Sequence, residues 1–353
     1  MQISFVQKLE VTFILFVLRV IYAVDVLTGD IFETFVKLTL RALTYAFAVS
    51  YIFLLVYSFK TNFLRNVAFG YQSTFLFNNL TSKANDANVL GAASVKKDLP
   101  ILIAKVAIPE ISSKAVLIVD KINNKTLYEK DSNERLAPAS TTKLMTALVA
   151  LDLYSLNDTV TISKKCTQVD STKAGLPEGT SYRVKDLLNA MLIASSGDVA
   201  CAFSEGKVQP DEFTYLMNQK ASKLGMRSTL FTNPIGLDDD NKANFSSAHD
   251  LYKLASAAMD DKLIRQIVRT KEYTISSVDD KYIGKLETTN KLLSEIPQTI
   301  GIKTGTTTDA GQVLIYEYKD DIKDLVIIVM GSEDRFTDVR ALLSWIFQSY
   351  SWK

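Results

Sequence analysis

The sequence predicts an α+β fold, built as one domain around an antiparallel sheet. Two observations predict this class. Apolar strand patterns occur at 115–130 and again at 312–330, and the stretches between them and after them have helical periodicity. Strands that come first and last, with helices between, are typical of α+β domains. We therefore expect the first and last strands to share one sheet.

The first predicted strands form a hairpin. The segments 115–120 (AVLIVD) and 126–130 (TLYEK) are joined across Asn123 and Asn124, which favour turns. A helix is predicted to begin at Ser140, since a serine there precedes a helical apolar pattern.

The middle of the chain is predicted to be helical and its end to return to the sheet. Helices are expected over 184–194 and from Pro210 to Gly225. Strands are expected at 312–318 and 324–330, with an acidic turn between them. The last helix is predicted to bury one apolar side, formed by Phe336, Val339, Leu342, Leu343, Ile346 and Phe347.

The N-terminal residues differ from this domain. Residues 42–59 carry no charge and are about long enough to cross a bilayer, so 1–60 is predicted to be a membrane anchor. The stretch 11–27 is interrupted by charges, which fits either a second span or an amphipathic helix. Residues 61–97 are predicted to be a tether, and 98–353 the catalytic domain. More Lys and Arg residues precede the main span than closely follow it, which predicts that the domain lies on the extracytoplasmic face of the cell membrane.

Composition excludes several function classes. The formal net charge is +1, without a basic run, so nucleic acid is not an expected partner. His249 is the single histidine and falls in the first turn of a predicted helix, which favours a structural role over a Ser-His-Asp triad. Cys166 and Cys201 are too few for a disulfide framework and are interpreted as structural. No cofactor or metal site is expected.

Three short motifs follow one another in the predicted domain. They are Ser140-Thr141-Thr142-Lys143, Ser196-Gly197-Asp198 and Lys303-Thr304-Gly305. Ser140 and Lys143 are about one helical turn apart, so their side chains share a face. A serine needs a base, and a lysine can serve if burial and a second positive charge lower its pKa. Lys303 is a candidate for that second charge.

The ordered motifs match the set Ser-x-x-Lys, Ser-x-Asn and Lys-Thr-Gly of penicillin-binding proteins and class A β-lactamases. The surrounding residues, including ERLAPASTTKLMTALVAL at 134–151 and GIKTGTT at 301–307, resemble the D-alanyl-D-alanine carboxypeptidase family over about 113–350. The resemblance implies a β-lactamase/transpeptidase-like fold with a helical subdomain. It also implies a substrate, peptidoglycan stem peptides ending in D-Ala-D-Ala, and β-lactam antibiotics as covalent inhibitors.

The resemblance also implies roles for the motif residues. Ser140 is the expected nucleophile, Lys143 its base and Ser196 a proton relay. The strand of Lys303, Thr304 and Gly305 is expected to pair with the substrate and hold its terminal carboxylate. The N–H groups of Ser140 and Thr306 are expected to form the oxyanion hole.

One position departs from the family pattern, because Asp198 stands where the second motif has Asn. A carboxylate accepts hydrogen bonds but does not donate them, and its charge favours protonated Lys143. We therefore hypothesise reduced activity or an altered substrate preference, with Asp198 expected at the substrate site.

Three alternatives to a carboxypeptidase remain open from the sequence. A D,D-endopeptidase uses the same site. A β-lactamase needs a deacylating base, for which Glu205 and Glu212 lie in the right interval but not in a matching context. A catalytically weak peptidoglycan- or penicillin-binding module is the third, because of Asp198.

Overall fold

The structure, a computed structural model, describes residues 98–238 and 243–353. These residues belong to the second of two units into which the chain divides, Lys96–Lys353. The predicted anchor 1–60, the stretch 11–27 and the tether 61–97 lie outside the described residues. Within 98–238 and 243–353, no helix is both long enough and apolar enough to cross a membrane.

The strands, in chain order, are β1 Pro100–Leu102, β2 Ala115–Asp120, β3 Lys125–Lys130, β4 Thr159–Thr161, β5 Ser181–Arg183, β6 Glu272–Ser276, β7 Ile283–Glu287, β8 Thr299–Thr307, β9 Gly311–Lys319, β10 Asp324–Ser332 and β11 Tyr350–Trp352. The helices are α1 Lys143–Leu153, α2 Lys164–Thr167, α3 Val184–Ile193, α4 Gly197–Gly206, α5 Pro210–Lys223, α6 Ala248–Asp260, α7 Lys262–Ile267, α8 Leu292–Glu295 and α9 Arg335–Ser349.

Five strands form the main sheet, in the order β3-β2-β10-β9-β8, and all neighbours are antiparallel. The prediction that the first and last strands share a sheet is confirmed, since β2 pairs with β10. The predicted hairpin is also present, and Asn124 has a φ of 50° in its turn. Strand β8 ends the order, so one of its edges is free of the sheet's other strands.

The sheet is buried on both faces, which explains why β2 is apolar from Ala115 to Val119. Ala115, Leu117 and Val119 pack with the helices of the middle of the chain. The alternate residues Val116 and Ile118 pack against α9. Helix α9 buries the predicted apolar side, apart from Phe347, which is 39% exposed.

The helical segment between β3 and β8 supplies most of the remaining core. Predicted helix bounds agree with α3 and α5 to within two residues, and Gly225 follows α5 with a φ of 69°. Three two-stranded sheets, β1-β11, β4-β5 and β6-β7, were not predicted. The active-site candidates lie where α1, the α3–α4 junction and β8 meet.

Candidate active site

Ser140 lies on a short 3₁₀ turn, Ala139–Thr142, that continues directly into α1. The turn packs closely against the edge strand β8. A Cβ added at Gly305 would lie 2.9 Å from the backbone nitrogen of Ser140 and 2.9 Å from the Cβ of Ala139. Because only glycine leaves room for this approach, Gly305 allows the strand to lie against the serine turn.

Lys143 is the first residue of α1 and is fully buried. Its Nζ lies 2.7 Å from Oγ of Ser140 and 2.7 Å from the carbonyl oxygen of Ile235. Burial lowers the pKa of Lys143 to about 7, and the negative charge of Asp198 acts against that shift. A substantial fraction of neutral amine is therefore expected at neutral pH.

Lys303 is the second buried lysine, and it points to the junction between α3 and α4. Its Nζ donates to Oγ of Ser195 at 2.7 Å and to the carbonyl oxygen of Thr304 at 3.0 Å. Burial, and then the positive charges of Lys143 and Arg335, hold the pKa of Lys303 well below its usual range. The two lysines thus have a serine hydroxyl each, Ser140 and Ser195.

The structure corrects the prediction for Ser196, because Ser195 is the serine that contacts Lys303. Helix α3 ends at Ile193, and Ser195 then takes a left-handed backbone conformation with a φ of 59°. This reversal directs the Ser195 hydroxyl to Lys303. Ser196 precedes the first residue of α4, and its hydroxyl donates to the carbonyl oxygen of Ala190 at 2.9 Å. Ser196 is therefore engaged within the helix junction.

The prediction that Asp198 lies at the substrate site is also corrected. Asp198 is 1% exposed, and its carboxylate accepts from the backbone N–H groups of Ala174, Gly175 and Val199 at 3.0–3.2 Å. It fastens a surface loop to α4 and forms no direct hydrogen bond with Lys143. Counted from Ser195, the third motif position is Gly197, which has no side chain.

Arg335 is a site residue that lies outside the three sequence motifs. Its guanidinium donates to the carbonyl oxygen of Gly305 at 2.5 Å and to Oγ1 of Thr306 at 2.7 Å. Arg335 is the first residue of α9 and follows β10, so only the strand order β8-β9-β10 brings it to this edge. No local pattern in the sequence indicates this neighbour.

The Lys-Thr-Gly strand has a second polar contact. Oγ1 of Thr304 lies 2.6 Å from Oγ1 of Thr289, so the threonine side chain is held beside the buried lysine. Together, Lys303, Thr304 and Arg335 place hydroxyl and cationic donors at β8. The arrangement suits a ligand that carries a carboxylate.

The single histidine and the two cysteines lie outside this cluster. His249 is in the first turn of α6, as predicted, and its Nε2 lies 3.1 Å from a carboxylate oxygen of Glu129. Cys166 and Cys201 form a disulfide between α2 and α4, with Cα atoms 5.4 Å apart. Glu205 is next to the disulfide, but the sulfur atoms are bonded to each other and are not thiolate ligands for a metal.

The site has a serine beside a buried lysine and a second lysine on a glycine-containing edge strand, within an α+β fold. These features agree with one family. The family model of D-alanyl-D-alanine carboxypeptidases matches residues 103–334. This chain belongs to the D-alanyl-D-alanine carboxypeptidase family. The match covers the Ser140 turn, the α3–α4 junction and β8 together.

Characterised relatives agree with that assignment. D-alanyl-D-alanine carboxypeptidase DacF of Bacillus subtilis is 32% identical over 248 residues, which is 67% of this chain and 63% of that relative. DacB2 of Mycobacterium tuberculosis is also 32% identical, over 69% of this chain and 84% of its own length. The solved Streptomyces K15 DD-transpeptidase superposes with a TM-score of 0.64 at 30% identity, and covers 69% of this chain and 100% of that one.

Proposed function

We propose that this family member is a serine-type D-Ala-D-Ala carboxypeptidase that acts on peptidoglycan stem peptides. One observation carries the proposal: Nζ of a fully buried lysine, Lys143, lies 2.7 Å from Oγ of Ser140. A lysine whose pKa is about 7 is neutral often enough at neutral pH to accept the serine proton. The Ser140 oxygen then attacks the carbonyl carbon of the penultimate D-alanine.

The remaining groups fit the later steps of this reaction. The backbone N–H groups of Ser140 and Thr306 are the proposed oxyanion hole, because the Ser140 turn packs against Gly305, the residue before Thr306. Ser195, whose hydroxyl accepts a hydrogen bond from Lys303, is the proposed relay that passes a proton to the leaving amine of the terminal D-alanine. Water then releases the acyl group from Ser140.

The terminal carboxylate of the substrate is proposed to bind at β8. Arg335 supplies positive charge there, the amine of Lys303 supplies an N–H donor, and Thr304 supplies a hydroxyl. A carboxypeptidase must recognise a free carboxylate after the scissile bond. This requirement favours a carboxypeptidase over an endopeptidase, although an endopeptidase would use the same nucleophile.

The β-lactamase alternative has less support, because neither candidate glutamate is at the nucleophile. Glu205 is near the C-terminal end of α4, where it accepts from Ser163 and forms an ion pair with Lys165 at 3.5 Å. Glu212 is in the first turn of α5. We therefore expect the acyl-enzyme formed with a β-lactam to be long-lived.

We also propose that the protein is anchored in the cell membrane with its catalytic domain on the extracytoplasmic face. Two observations support this location. Residues 42–59 are uncharged over a length that suits a membrane span. The Cys166–Cys201 disulfide is a linkage that persists mainly in oxidising compartments. Protection of the domain from protease in intact cells would contradict the orientation.

The activity is tested by D-alanine release from an N-acylated L-Lys-D-Ala-D-Ala peptide. The purified full chain should release one D-alanine per peptide, and Ser140→Ala should release none. A cross-linked muropeptide dimer and a chromogenic cephalosporin are assayed in parallel. Faster cleavage of the dimer would indicate an endopeptidase, and rapid turnover of the cephalosporin would indicate a β-lactamase.

A further inference from the structure

Gly197 lies near Lys143 in the wall of the active site, and a side chain would not fit at this position. A Cβ added at Gly197 would lie 2.6 Å from both Cβ and Oγ of Ser171, and 3.2 Å from Cγ2 of Ile235. Ile235 is the residue whose carbonyl oxygen accepts from Lys143. Ser171 therefore occupies the volume that a side chain at position 197 would take. Ile235, which borders the same volume, links it to Lys143.

Ser171 is held there by a fastened loop. The N–H of Gly197 donates to the carbonyl oxygen of Thr172 at 2.7 Å. The carboxylate of Asp198 accepts from Ala174 and Gly175, two residues further along the same loop. These three hydrogen bonds tie residues 172–175 to the first turn of α4, so Ser171 has a fixed place beside Gly197.

The disulfide strengthens this attachment from the other side. Cys166, in α2, is five residues before Ser171 in the chain, and Cys201 lies one turn beyond Gly197 in α4. The loop that carries Ser171 is thus joined to α4 at both of its ends. A side chain on such a doubly fixed loop is pre-organised for a contact.

The Ser171 hydroxyl is available for a ligand. The residue is half-buried, and within 98–238 and 243–353 its Oγ has no hydrogen-bond partner. A hydroxyl can both donate and accept, which suits a peptide amide group. We propose that Ser171 is a specificity-determining residue that binds an amide of the stem peptide on the acyl side of the scissile bond, in the place left by Gly197. This inference rests on the proposed carboxypeptidase activity.

The test compares Ser171→Ala with Thr172→Ala in the full chain. Thr172 is the next residue and is exposed, so Thr172→Ala removes one hydroxyl from the same loop and is a matched control. Steady-state kinetics are measured with the N-acylated L-Lys-D-Ala-D-Ala peptide. We expect Ser171→Ala to lower kcat/KM about tenfold, mainly by raising KM, because one hydrogen bond to substrate is lost. Thr172→Ala should stay within about twofold of the wild type.

A second pair of variants tests the contact itself. Gly197→Ala should lose activity because its Cβ would collide with Ser171. In the double variant with Ser171→Gly, that collision is removed, and activity should return to the level of Ser171→Gly alone. Melting temperatures of all variants show whether each protein is folded.

The outcomes separate this inference from the proposed function. If the wild type neither releases D-alanine nor is acylated by penicillin, both proposals are overturned. If the wild type is active and Ser171→Ala has an unchanged KM, only the role of Ser171 is overturned. The role of Ser171 is also overturned if the double variant, Gly197→Ala with Ser171→Gly, is folded but less active than Ser171→Gly alone.

Discussion

Two groups of buried charged side chains, one near the β9–β10 turn and one at the active site, differ in whether each charge has an oppositely charged partner. Near the β9–β10 turn, Glu317 and Asp324 are 3% and 4% exposed, and each has a lysine partner. Lys121 lies 3.1 Å from Glu317, and Lys319 lies 2.5 Å from Asp324. At the active site, within the part of the chain that the structure describes, the buried lysines form no ion pair.

A structural buried charge and a chemically useful one differ in whether an opposite charge lies in contact with it. Burial disfavours the charged form of a carboxylate, and a lysine in contact offsets part of that cost, so such a pair has a structural place in the fold. A buried lysine that contacts only hydroxyl and carbonyl oxygens is easily neutral, so it can accept a proton. Lys143 belongs to the second kind, and its pKa of about 7 follows from burial.

The largest expected effect comes from removing the unpaired lysine at the nucleophile. Lys143→Met should lower kcat/KM for D-alanine release by at least about 10²-fold, because Ser140 loses its base. Lys143→Arg should be similarly impaired, since a guanidinium stays protonated. Lys164→Met, at an exposed position on α2, is the control and should remain active. Activity of Lys143→Met near the wild-type level would show that another group is the base.

A smaller effect is expected from Asp198, whose carboxylate raises the pKa of Lys143 without contacting it. The reaction needs neutral Lys143, so activity should rise with pH through a pKa of about 7. Asp198 raises that pKa, so Asp198→Asn should lower it and move the acidic limb of the pH–activity profile to lower pH. The exposed Asp170→Asn serves as the control for a lost surface charge.

The relevant quantity is the pH at which each variant reaches half of its own maximum activity. Asp198→Asn also weakens the hold on Ala174 and Gly175, so its maximum rate can fall. This expectation replaces the hypothesis that Asp198 itself limits the rate at the substrate site. A limb that stays in place or moves to higher pH would contradict the electrostatic effect of Asp198.

The smallest effect is expected on stability, at the paired carboxylates. Burial, and then the hydrogen bond with Asp324, raises the pKa of Glu317 to about 7. The folded state therefore holds this proton more tightly than the unfolded state, and stability falls as pH rises from about 4.5 to about 7. Glu317→Gln removes that loss.

Melting temperatures at pH 5 and pH 8 measure this effect. The difference in melting temperature between Glu317→Gln and the wild type should be about 2–4 °C more favourable to the variant at pH 8 than at pH 5. The exposed Glu178→Gln should show no such difference. An equal change at both pH values would mean that Glu317 does not titrate between them.

The sequence was informative wherever neighbours in space are also neighbours in the chain. Ser140 and Lys143 could be paired because one helical turn brings them together. The apolar side of α9 could be predicted from helical periodicity for the same reason.

Other features depend on geometry that no periodicity carries. Ser195 replaces Ser196 because one left-handed residue redirects the chain between α3 and α4. Arg335 reaches Gly305 only through the order of three strands. The pairing of Cys166 with Cys201 depends on how α2 packs against α4. These are tertiary facts, so the sequence alone could not provide them.

Acylation by benzylpenicillin tests whether Ser140 is the nucleophile. The wild type and Ser140→Ala are mixed with the drug, and the mass of the intact protein is followed over time. We expect one long-lived adduct of the drug's mass on the wild type, located on the peptide that contains Ser140, and none on Ser140→Ala. An adduct of equal extent on Ser140→Ala, or no adduct on the folded wild type, would contradict that role.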